Sequence, residues 1–432
     1  MRRVAFTTLG CKVNQSETDL LSRQFAAAGY ACVGFDEPAD VYVVNTCTVT
    51  HVADRKSRQL LGQARRFNPE ALVVATGCYA SIVGDQLGDE RTLVIRNRDK
   101  DRVLTLVEGR LGHEPAELPF HGDAEKYLEV SGGQERSRSM VKVQDGCDSH
   151  CTYCIIPRAR GRSRSLSPAE VIRRVDALVR EGHAEVVVTG VDLGSYGDDV
   201  PGYPDLGGLL RRILDETGVG RIRVSSLEPG DFREEWLALW DDSRLCRHLH
   251  VPLQSGSAGV LERMERSYQP ADYATMLAAC RAAGDMTITT DVMVGFPGET
   301  DHEFDESYHF IRSMCFDGMH VFKYSRRSGT RAGRMLDQVA EEVKSERSRI
   351  LREEAAAGVA RLLDRHLGRI VSVAWESERD GIARGLTDTN VRVYGPGPAD
   401  SATLKRVRLG SPFQDGLWAE PVFADLALAA TL

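Results

Sequence analysis

The chain has 432 residues, an apolar fraction of 42 % and a formal net charge of −8. That length suits roughly three domains of about 150 residues, and the apolar fraction is enough to pack them, which excludes wholesale disorder. The negative balance excludes indiscriminate nucleic-acid binding, while leaving room for a local basic path on a specific RNA. No apolar run approaches the ~20 residues of a membrane span, and the opening "MRRVAFTTLGCKVNQ" turns polar too soon for a signal peptide. A cytoplasmic protein without a membrane partner is expected. In a reducing cytosol its ten cysteines point to metal or redox chemistry, since disulfides are disfavoured there.

The first elements alternate strands with helices. "RVAFTTLGC" is expected to be a strand ending at Cys11, and "NQSETDLLSRQFAAAGY" a helix with Ser16 and Asp19 as a capping box and Gly29 at its end. "VYVVNTC" and "LVVATGC" predict strands ending at Cys47 and Cys78, and "LVIRN" a fourth strand with no cysteine. Alternating strands and helices imply a parallel sheet, whose functional groups gather at the carboxyl ends of its strands. Three of those ends carry a thiol. The polar stretch Leu111 to Ser139 is expected to be an inter-domain connection.

A second alternating series follows, with strands in "SMVKVQDG", "EVVVTGVDL", "RIRVSSL", "HLHVPLQ", "TITTDVMVGF" and "GMHVFKYS". Its first helix starts with Ser167 as N-cap, Pro168 at the first position and Glu170 at the third. Six such units suit a partial barrel better than a closed eight-fold one. From Arg334 to Gly368 a long, charged, alanine-rich helix is expected. After it come short strands broken by Gly, Pro and Asp, which fit a small β-barrel. The expected domains are 1–112, 133–365 and 366–432.

The loop after the first barrel strand, "VQDGCDSHCTYCIIPRARGRSRS", places Cys147, Cys151 and Cys154 within eight residues. Zinc usually takes four ligands from two close pairs. His150 would be a strained fourth, because it adjoins Cys151. A [4Fe–4S] cluster held by three thiolates leaves one iron open. A zinc knuckle or a set of buried thiols is the alternative. A redox carrier would need closed four-cysteine sites, and a zinc-stabilised RNA-binding module would need no glycine-rich cofactor turns.

Cys-x3-Cys-x-Tyr-Cys after the first strand of a six-unit barrel, with Tyr153 at the aromatic position, resembles the radical S-adenosylmethionine enzymes. The resemblance implies that the open iron chelates S-adenosylmethionine and that an electron from the cluster cleaves it to a 5′-deoxyadenosyl radical. It also implies cofactor contacts at later strand ends: Gly190 and Asp192 in "TGVDLGSYG", Ser226 and Glu228 in "SSLEP", Gln254 in "PLQSG" and Asp291 in "DVMVGFPGET".

"TLGCKVNQSET", "VVNTCTVT" and "ATGCYA" are similar to the three cysteine motifs of the methylthiotransferases. That likeness covers nearly the whole chain, including a C-terminal barrel that looks like a TRAM domain. It implies that Cys11, Cys47 and Cys78 hold an auxiliary [4Fe–4S] cluster carrying the sulfur to be inserted. It also implies two molecules of S-adenosylmethionine, one a methyl donor and one the radical source, an electron-donor protein and a sulfur source. "GCKVNQ" is nearest the branch that modifies C2 of N6-threonylcarbamoyladenosine beside the tRNA anticodon. The isopentenyladenosine branch tends to "GCQMN" and the ribosomal-protein branch to "GCAKN". The chain departs from the family at Arg158, where tyrosine is common, at Lys323, where proline is usual, and at Asp192, a position that varies between branches. Cys32, Cys246, Cys280 and Cys315 are expected to be buried small hydrophobes. Arg158, Arg160, Arg162 and Arg164, spaced by two beside the cluster loop, are candidates for anticodon-loop phosphates, with Lys405, Arg406 and Arg408 in the last barrel. The four arginines and Lys323 are also the candidates for a substrate carboxylate.

Overall fold

The computed structural model describes residues 1–112, 138–397 and 403–422. The expected polar connection lies mostly outside them. No described helix is long and apolar enough to cross a membrane.

The first unit runs β1 (Arg3–Thr8), α1 (Lys12–Ala27), β2 (Ala31–Val33), β3 (Val41–Thr46), α2 (His51–Phe67), β4 (Leu72–Gly77), α3 (Cys78–Val83), β5 (Thr92–Val94) and α4 (Val103–Arg110). Its five strands are all parallel, in the order β2-β1-β3-β4-β5. Every residue of β3 and β4 is buried, as a parallel sheet covered on both faces requires. Val41, Val43 and Val74 pack with Leu21 and Phe25 of α1 on one face, and Tyr42, Val44 and Val73 with Leu61 of α2 on the other.

The start of α1 differs from expectation. Cys11 itself is the N-cap, with no side-chain hydrogen bond, and Ser16 and Asp19 lie inside the helix. Ser16 is not free to cap, because its hydroxyl donates to the Met140 carbonyl across the domain boundary at 3.0 Å. The short β2 carries no apolar run long enough to announce it.

The central unit comprises β6 (Arg138–Lys142), β7 (Gln144–Asp145), α5 (Ile156–Arg160), β8 (Arg164–Ser165), α6 (Pro168–Arg180), β9 (Glu185–Thr189), α7 (Leu206–Glu216), β10 (Ile222–Val224), β11 (His248–His250), α8 (Ala258–Met264), α9 (Pro270–Ala282), β12 (Thr287–Val294), α10 (Asp301–Met314), β13 (Gly318–Lys323) and α11 (Glu341–His366). All six expected strands form. β6, β9 and β10 pair in parallel, as do β11, β12 and β13. A parallel bridge between Ser226 and His250 joins the halves. No pairing closes β13 onto β6 among the described residues. The barrel is therefore open, and α1 of the first unit packs along β6 at the opening. Ser167 caps α6 as expected, accepting from the Glu170 amide. The last helix begins at Glu341, seven residues later than expected. Before it, the Gln338 side chain donates to the Ala332 and Met335 carbonyls and meets backbone demands that a helix would otherwise meet.

β14 (Ile370–Arg379), β15 (Ile382–Thr387), β16 (Arg392–Pro396), β17 (Leu404–Phe413) and β18 (Gly416–Pro421) close a small barrel in the order β14-β15-β16-β18-β17. It seals the foot of the open barrel. Arg221 and Arg223 pair with buried Glu185 at 2.6 and 2.7 Å. Their remaining N–H groups donate to the carbonyls of Ser372, Leu386, Thr387 and Asp388.

A second buried network joins the first unit to the central one. Glu17 of α1 accepts from Lys100, from Lys142 at 2.8 Å and from Arg160 at 2.9 Å. Arg160 also reaches Asp145 at 2.7 Å and donates to Asn14. Burial alone would raise the Glu17 pKa, but Lys100, Lys142 and Arg160 together drive it well below the usual carboxylate range. Removing one member of such a set leaves uncompensated buried charge. Glu17→Gln is therefore expected to destabilise the folded protein by about 3–5 kcal/mol. Urea denaturation against wild type measures this, and a loss below about 1 kcal/mol, the size of an exposed pair, would refute the network's role.

Candidate cluster and cofactor site

Lys142 ends the first barrel strand, and the chain turns at Gly146 (φ +79°), where a Cβ would lie 1.9 Å from the Arg162 carbonyl oxygen. Only glycine fits that turn. The loop beyond it is pinned at Thr152, whose amide donates to Met264 and whose carbonyl accepts from Ala332. Donors point at two of its sulfurs. The Ser149 amide approaches Cys147 Sγ at 3.3 Å, and the Arg266 guanidinium approaches Cys151 Sγ at 3.1 Å. Such donors suit thiolates. Burial, however, pushes the Cys147 thiol up to about 12 and the Cys154 thiol up to about 11, so these sulfurs ionise only when a bound metal supplies the positive charge. The donor set fits a metal group.

The N-terminal trio also converges. Cys11 is exposed, whereas Cys47 and Cys78 are buried. Gly10 (φ +101°) lies so close that a Cβ there would be 2.9 Å from Cys47 Sγ. Burial pushes the Cys47 thiol up to about 11, with Cys78 and Cys11 acting in the same direction. Among the described residues, His250, Asp291 and His320 are the one His/Cys/Asp/Glu triplet whose ligand atoms all lie within 4.8 Å of one another.

The two triplets face each other across the domain boundary. The Asn97 amide donates to Cys78 Sγ at 3.6 Å and to the Ala159 carbonyl at 2.9 Å, in the helix that follows Cys154. Arg160, one residue further on, enters the Glu17 network.

The expected cofactor residues line the upper part of the open barrel. Gln144 orders the first of them: its Oε1 accepts from the amides of Val191 and Asp192 at 3.0 and 2.9 Å, with Gly190 packed against its side chain. Asp192 Oδ2 accepts from the Cys147 thiol at 3.1 Å. Its Oδ1 is buried without a partner, an acceptor that suits an ammonium group. Asp231 stands beside it. Burial and the Asp192 carboxylate push Asp231 up to about 7. Glu228 pairs with Arg266, which also lies 3.4 Å from the Tyr153 hydroxyl and covers the Tyr268 ring. The Tyr153 ring meets Phe296 edge-on. Ser226 bridges to His250. Gln254 adopts left-handed backbone (φ +63°), a costly conformation for a residue with a side chain. Asp291 lies 3.3 Å from His250 and 3.1 Å from His320. Burial pulls its pKa upward, but the two rings outweigh this and hold it at about 2.

Several expectations are corrected. Arg160 is 3 % exposed, and the Glu17 network uses its donors, so it is a structural tie that leaves nothing for a phosphate. Arg158, Arg162 and Arg164 are exposed. Lys323 lies on the strand face turned towards α11, donating to Ser345 and standing 3.8 Å from Glu341, which takes it away from the barrel interior. Cys246 and Cys280 are buried, but Cys32 and Cys315 are exposed. Cys32 occupies the short strand that the sequence did not reveal, and Cys315 caps a helix with left-handed backbone. His150 is exposed, and its carbonyl accepts from Arg331. Lys405, Arg406 and Arg408 are exposed on β17.

Arg266, Asp231, Asn97, Gln144 and the histidine pair were missed. The histidines carried a signal: in "HLHVPLQ", "TITTDVMV" and "GMHVFK" polar residues recur with period two on strands that otherwise read as core. Arg266 and Asn97 carried none, being set by tertiary placement alone.

An open six-stranded barrel with a three-cysteine loop after its first strand defines a radical S-adenosylmethionine protein. Residues 141–311 match the radical SAM superfamily, and residues 3–95 match a family described as "Uncharacterized protein family UPF0004". The threonylcarbamoyladenosine tRNA methylthiotransferase MtaB of Bacillus subtilis is 38 % identical over 439 residues, covering 96 % of each chain. Its counterpart in Aquifex aeolicus is 40 % identical, covering 81 % of this chain and 87 % of that one. The tRNA-2-methylthio-N(6)-dimethylallyladenosine synthase of Pelotomaculum thermopropionicum is 32 % identical over 88 % of each. Among solved structures, the radical S-adenosylmethionine methyltransferase TsrM from Kitasatospora setae shares the fold, with a TM-score of 0.55 and 17 % identity over 77 % of each chain. The chain belongs to the methylthiotransferase family of radical S-adenosylmethionine enzymes, and with that superfamily go a [4Fe–4S] cluster and S-adenosylmethionine.

The Asp192–Asp231 pair yields a stability test on the metal-free chain. A carboxyl held at about 7 in place of its usual 3.8 favours folding below its unfolded pKa. That stability is lost as pH rises towards 7 and stays lost above it. Asp231→Asn is expected to stabilise the fold at pH 8 by about 1–3 kcal/mol, allowing for solvent screening, with no gain at pH about 4. Urea denaturation at both values checks it, and equal effects at both would refute the repulsion.

Proposed function

We propose that the protein inserts a methylthio group at C2 of N6-threonylcarbamoyladenosine next to the anticodon of tRNA. The supporting observation is the pair of thiol triplets facing each other across one boundary, joined by Asn97 and Arg160. Sulfur delivery and radical generation require two metal centres open to one substrate. In this reading Cys147, Cys151 and Cys154 hold the radical cluster. Cys11, Cys47 and Cys78 hold a second [4Fe–4S] cluster that supplies the sulfur, in a first domain ending near residue 112, ahead of a central domain from 133 to 365 and an RNA-binding barrel from 366. When bound, the clusters supply the electron for cofactor cleavage and the sulfur. The other steps belong to the chain's own groups. Asp192 accepts the cofactor ammonium, Gly190 gives it room beside Gln144, and Tyr153, Ser226, Glu228, Gln254 and Asp291 complete the cradle. Arg158, Arg162 and Arg164 take phosphates of the anticodon loop. An electron-donor protein and a sulfur source complete the cycle.

Cys151→Ala is expected to abolish 5′-deoxyadenosine release while the N-terminal cluster still assembles. Cys47→Ala is expected to leave that release measurable and stop sulfur insertion. Chromatography of the nucleoside products, with iron analysis, separates the two. Release at the parent rate from Cys151→Ala, or normal methylthiolated product from Cys47→Ala, would refute the division of labour. The substrate is tested by mass spectrometry of tRNA nucleosides from cells with and without this chain. Loss of 2-methylthio-N6-threonylcarbamoyladenosine is expected. Loss of the methylthiolated isopentenyl nucleoside, or of a modified ribosomal protein, would overturn the substrate and leave the radical chemistry standing.

A further inference from the structure

The cofactor cradle leaves one strongly charged surface unused, the outer stripe of α2. Ser57, Leu61 and Ala64 face the sheet and are buried. At 3.6 residues per turn the opposite side of the helix carries Val52, Arg55, Lys56, Gln59 and Arg66, all of them exposed. The helix holds five cations and one acid, in a chain whose net charge is −8. That acid, Asp54, is already taken: it accepts from Thr48 and from Arg327, each at 2.7 Å. Arg65 pairs with Asp89 at 2.6 Å, and Arg58 donates to the Tyr79 hydroxyl at 3.0 Å. The side chains of Arg55, Lys56 and Arg66 make no hydrogen bond and no ion pair among the described residues.

Other surface helices neutralise their arginines within a turn. Arg173 and Arg174 of α6 pair with Glu170, Arg212 of α7 with Glu216, and Arg349 of α11 with Glu346 and Glu353. Such pairs are what a merely solvated helix face carries. Within α2 no acid stands three or four residues from Arg55, Lys56 or Arg66. Arg55 and Arg58, three apart, repel each other instead, and an anionic partner relieves that repulsion.

The stripe leads to the N-terminal thiols. α2 starts four residues after Cys47. Its first turn is tied to the central unit by Arg327, which places it at the boundary between the two domains. Arg58 reaches the residue after Cys78. Arg66 lies about 16 Å along the axis from Arg55, a span of several backbone phosphates. At the end nearest the thiols, Val49 and Val52 are 54 % and 51 % exposed and offer apolar surface to an unstacked base.

We propose that the outer stripe of α2 is a track for one backbone strand of the substrate's anticodon stem, with Arg55, Lys56 and Arg66 on its phosphates. This rests on tRNA being the substrate. An acidic protein would present carboxylates to the same cations. RNA is favoured because the free cations form a line that ends beside Cys47, whereas an electron carrier has to serve the other triplet.

The anaerobically reconstituted holoenzyme is titrated with tRNA anticodon stem–loops carrying N6-threonylcarbamoyladenosine or unmodified adenosine, at salt concentrations from ~50 to ~200 mM. Each phosphate contact contributes about 0.7–0.9 to the slope of log affinity against log salt. Combining Arg55→Gln, Lys56→Gln and Arg66→Gln is expected to lower that slope by about 2 and to weaken both stem–loops alike, by about tenfold or more at low salt. Arg55→Lys with Arg66→Lys is expected to keep the slope. Iron content and the urea midpoint report whether the fold survives. If the triple variant loses iron, Arg66→Gln, at the far end of the helix, decides the matter by a slope lower by about 0.7–0.9. An unchanged slope overturns the track. Weakening of the modified stem–loop alone would mark a base contact and overturn it too. So would a triple variant that binds RNA like the wild type but is reduced more slowly by an acidic flavoprotein and normally by dithionite, since the stripe would then serve a protein. A wild type that binds neither stem–loop overturns the tRNA reading and the track together.

Discussion

The buried contact between Arg160 and Glu17 sets the geometry on which the rest depends. Arg160 lies six residues after Cys154, and Glu17 six residues after Cys11. Their bond at 2.9 Å therefore fixes the separation of the two thiol triplets more directly than any packing of the sheets. Glu17 and Asp145 face Lys100, Lys142 and Arg160, so the group carries one more cation than anion. An apolar seam of the same size would hold the domains as firmly and allow more than one register. A charge network is satisfied in one arrangement only, because any slip strands a buried ion. Asn97 repeats the principle on a smaller scale by donating to both sides of the boundary.

Much of this architecture is legible in the sequence, for physical reasons that can be named. Long apolar strands such as β3 and β4 announce themselves because both faces must be buried. The three cysteines of the central loop are legible because short spacing leaves few geometries. The N-terminal trio is legible only as three strand ends, and its convergence comes from the sheet order that sets β1, β3 and β4 side by side.

What the sequence hid follows the opposite rule. Arg160 reads as one of four solvated arginines, and nothing local separates it from Arg158 or Arg162. Its burial is decided by Glu17, 143 residues away. Ser16 reads as a cap because its spacing to Asp19 is right, yet the exposed carbonyl of an edge strand in another domain claims its hydroxyl. Lys323 reads as a site residue because it is unusual, but strand parity turns it towards a helix. Local pattern governs a side chain only when no distant group competes for it.

The barrel interior shows the same competition used constructively. A closed barrel of parallel strands fills its centre with branched apolar side chains. Here Glu185, Arg223, His248, His250, Asp291 and His320 occupy the inward positions. They are tolerated because the barrel is open on one side and each foot-level charge is paired: Glu185 with Arg221 and Arg223, and those arginines with carbonyls of the C-terminal barrel. The pairing thins out upward. At the foot Arg221 and Arg223 share Glu185 and donate to carbonyls of the C-terminal barrel, at mid-height Asp291 shares two histidines, and beside the central cysteine loop a buried oxygen of Asp192 has no hydrogen-bond partner. Fixed polar groups left unsatisfied at the open end and satisfied at the closed end make a binding site that needs little reorganisation when its ligand arrives. The C-terminal barrel therefore supports that site without touching it, because its carbonyls allow the foot to stay charged and the rim to stay available.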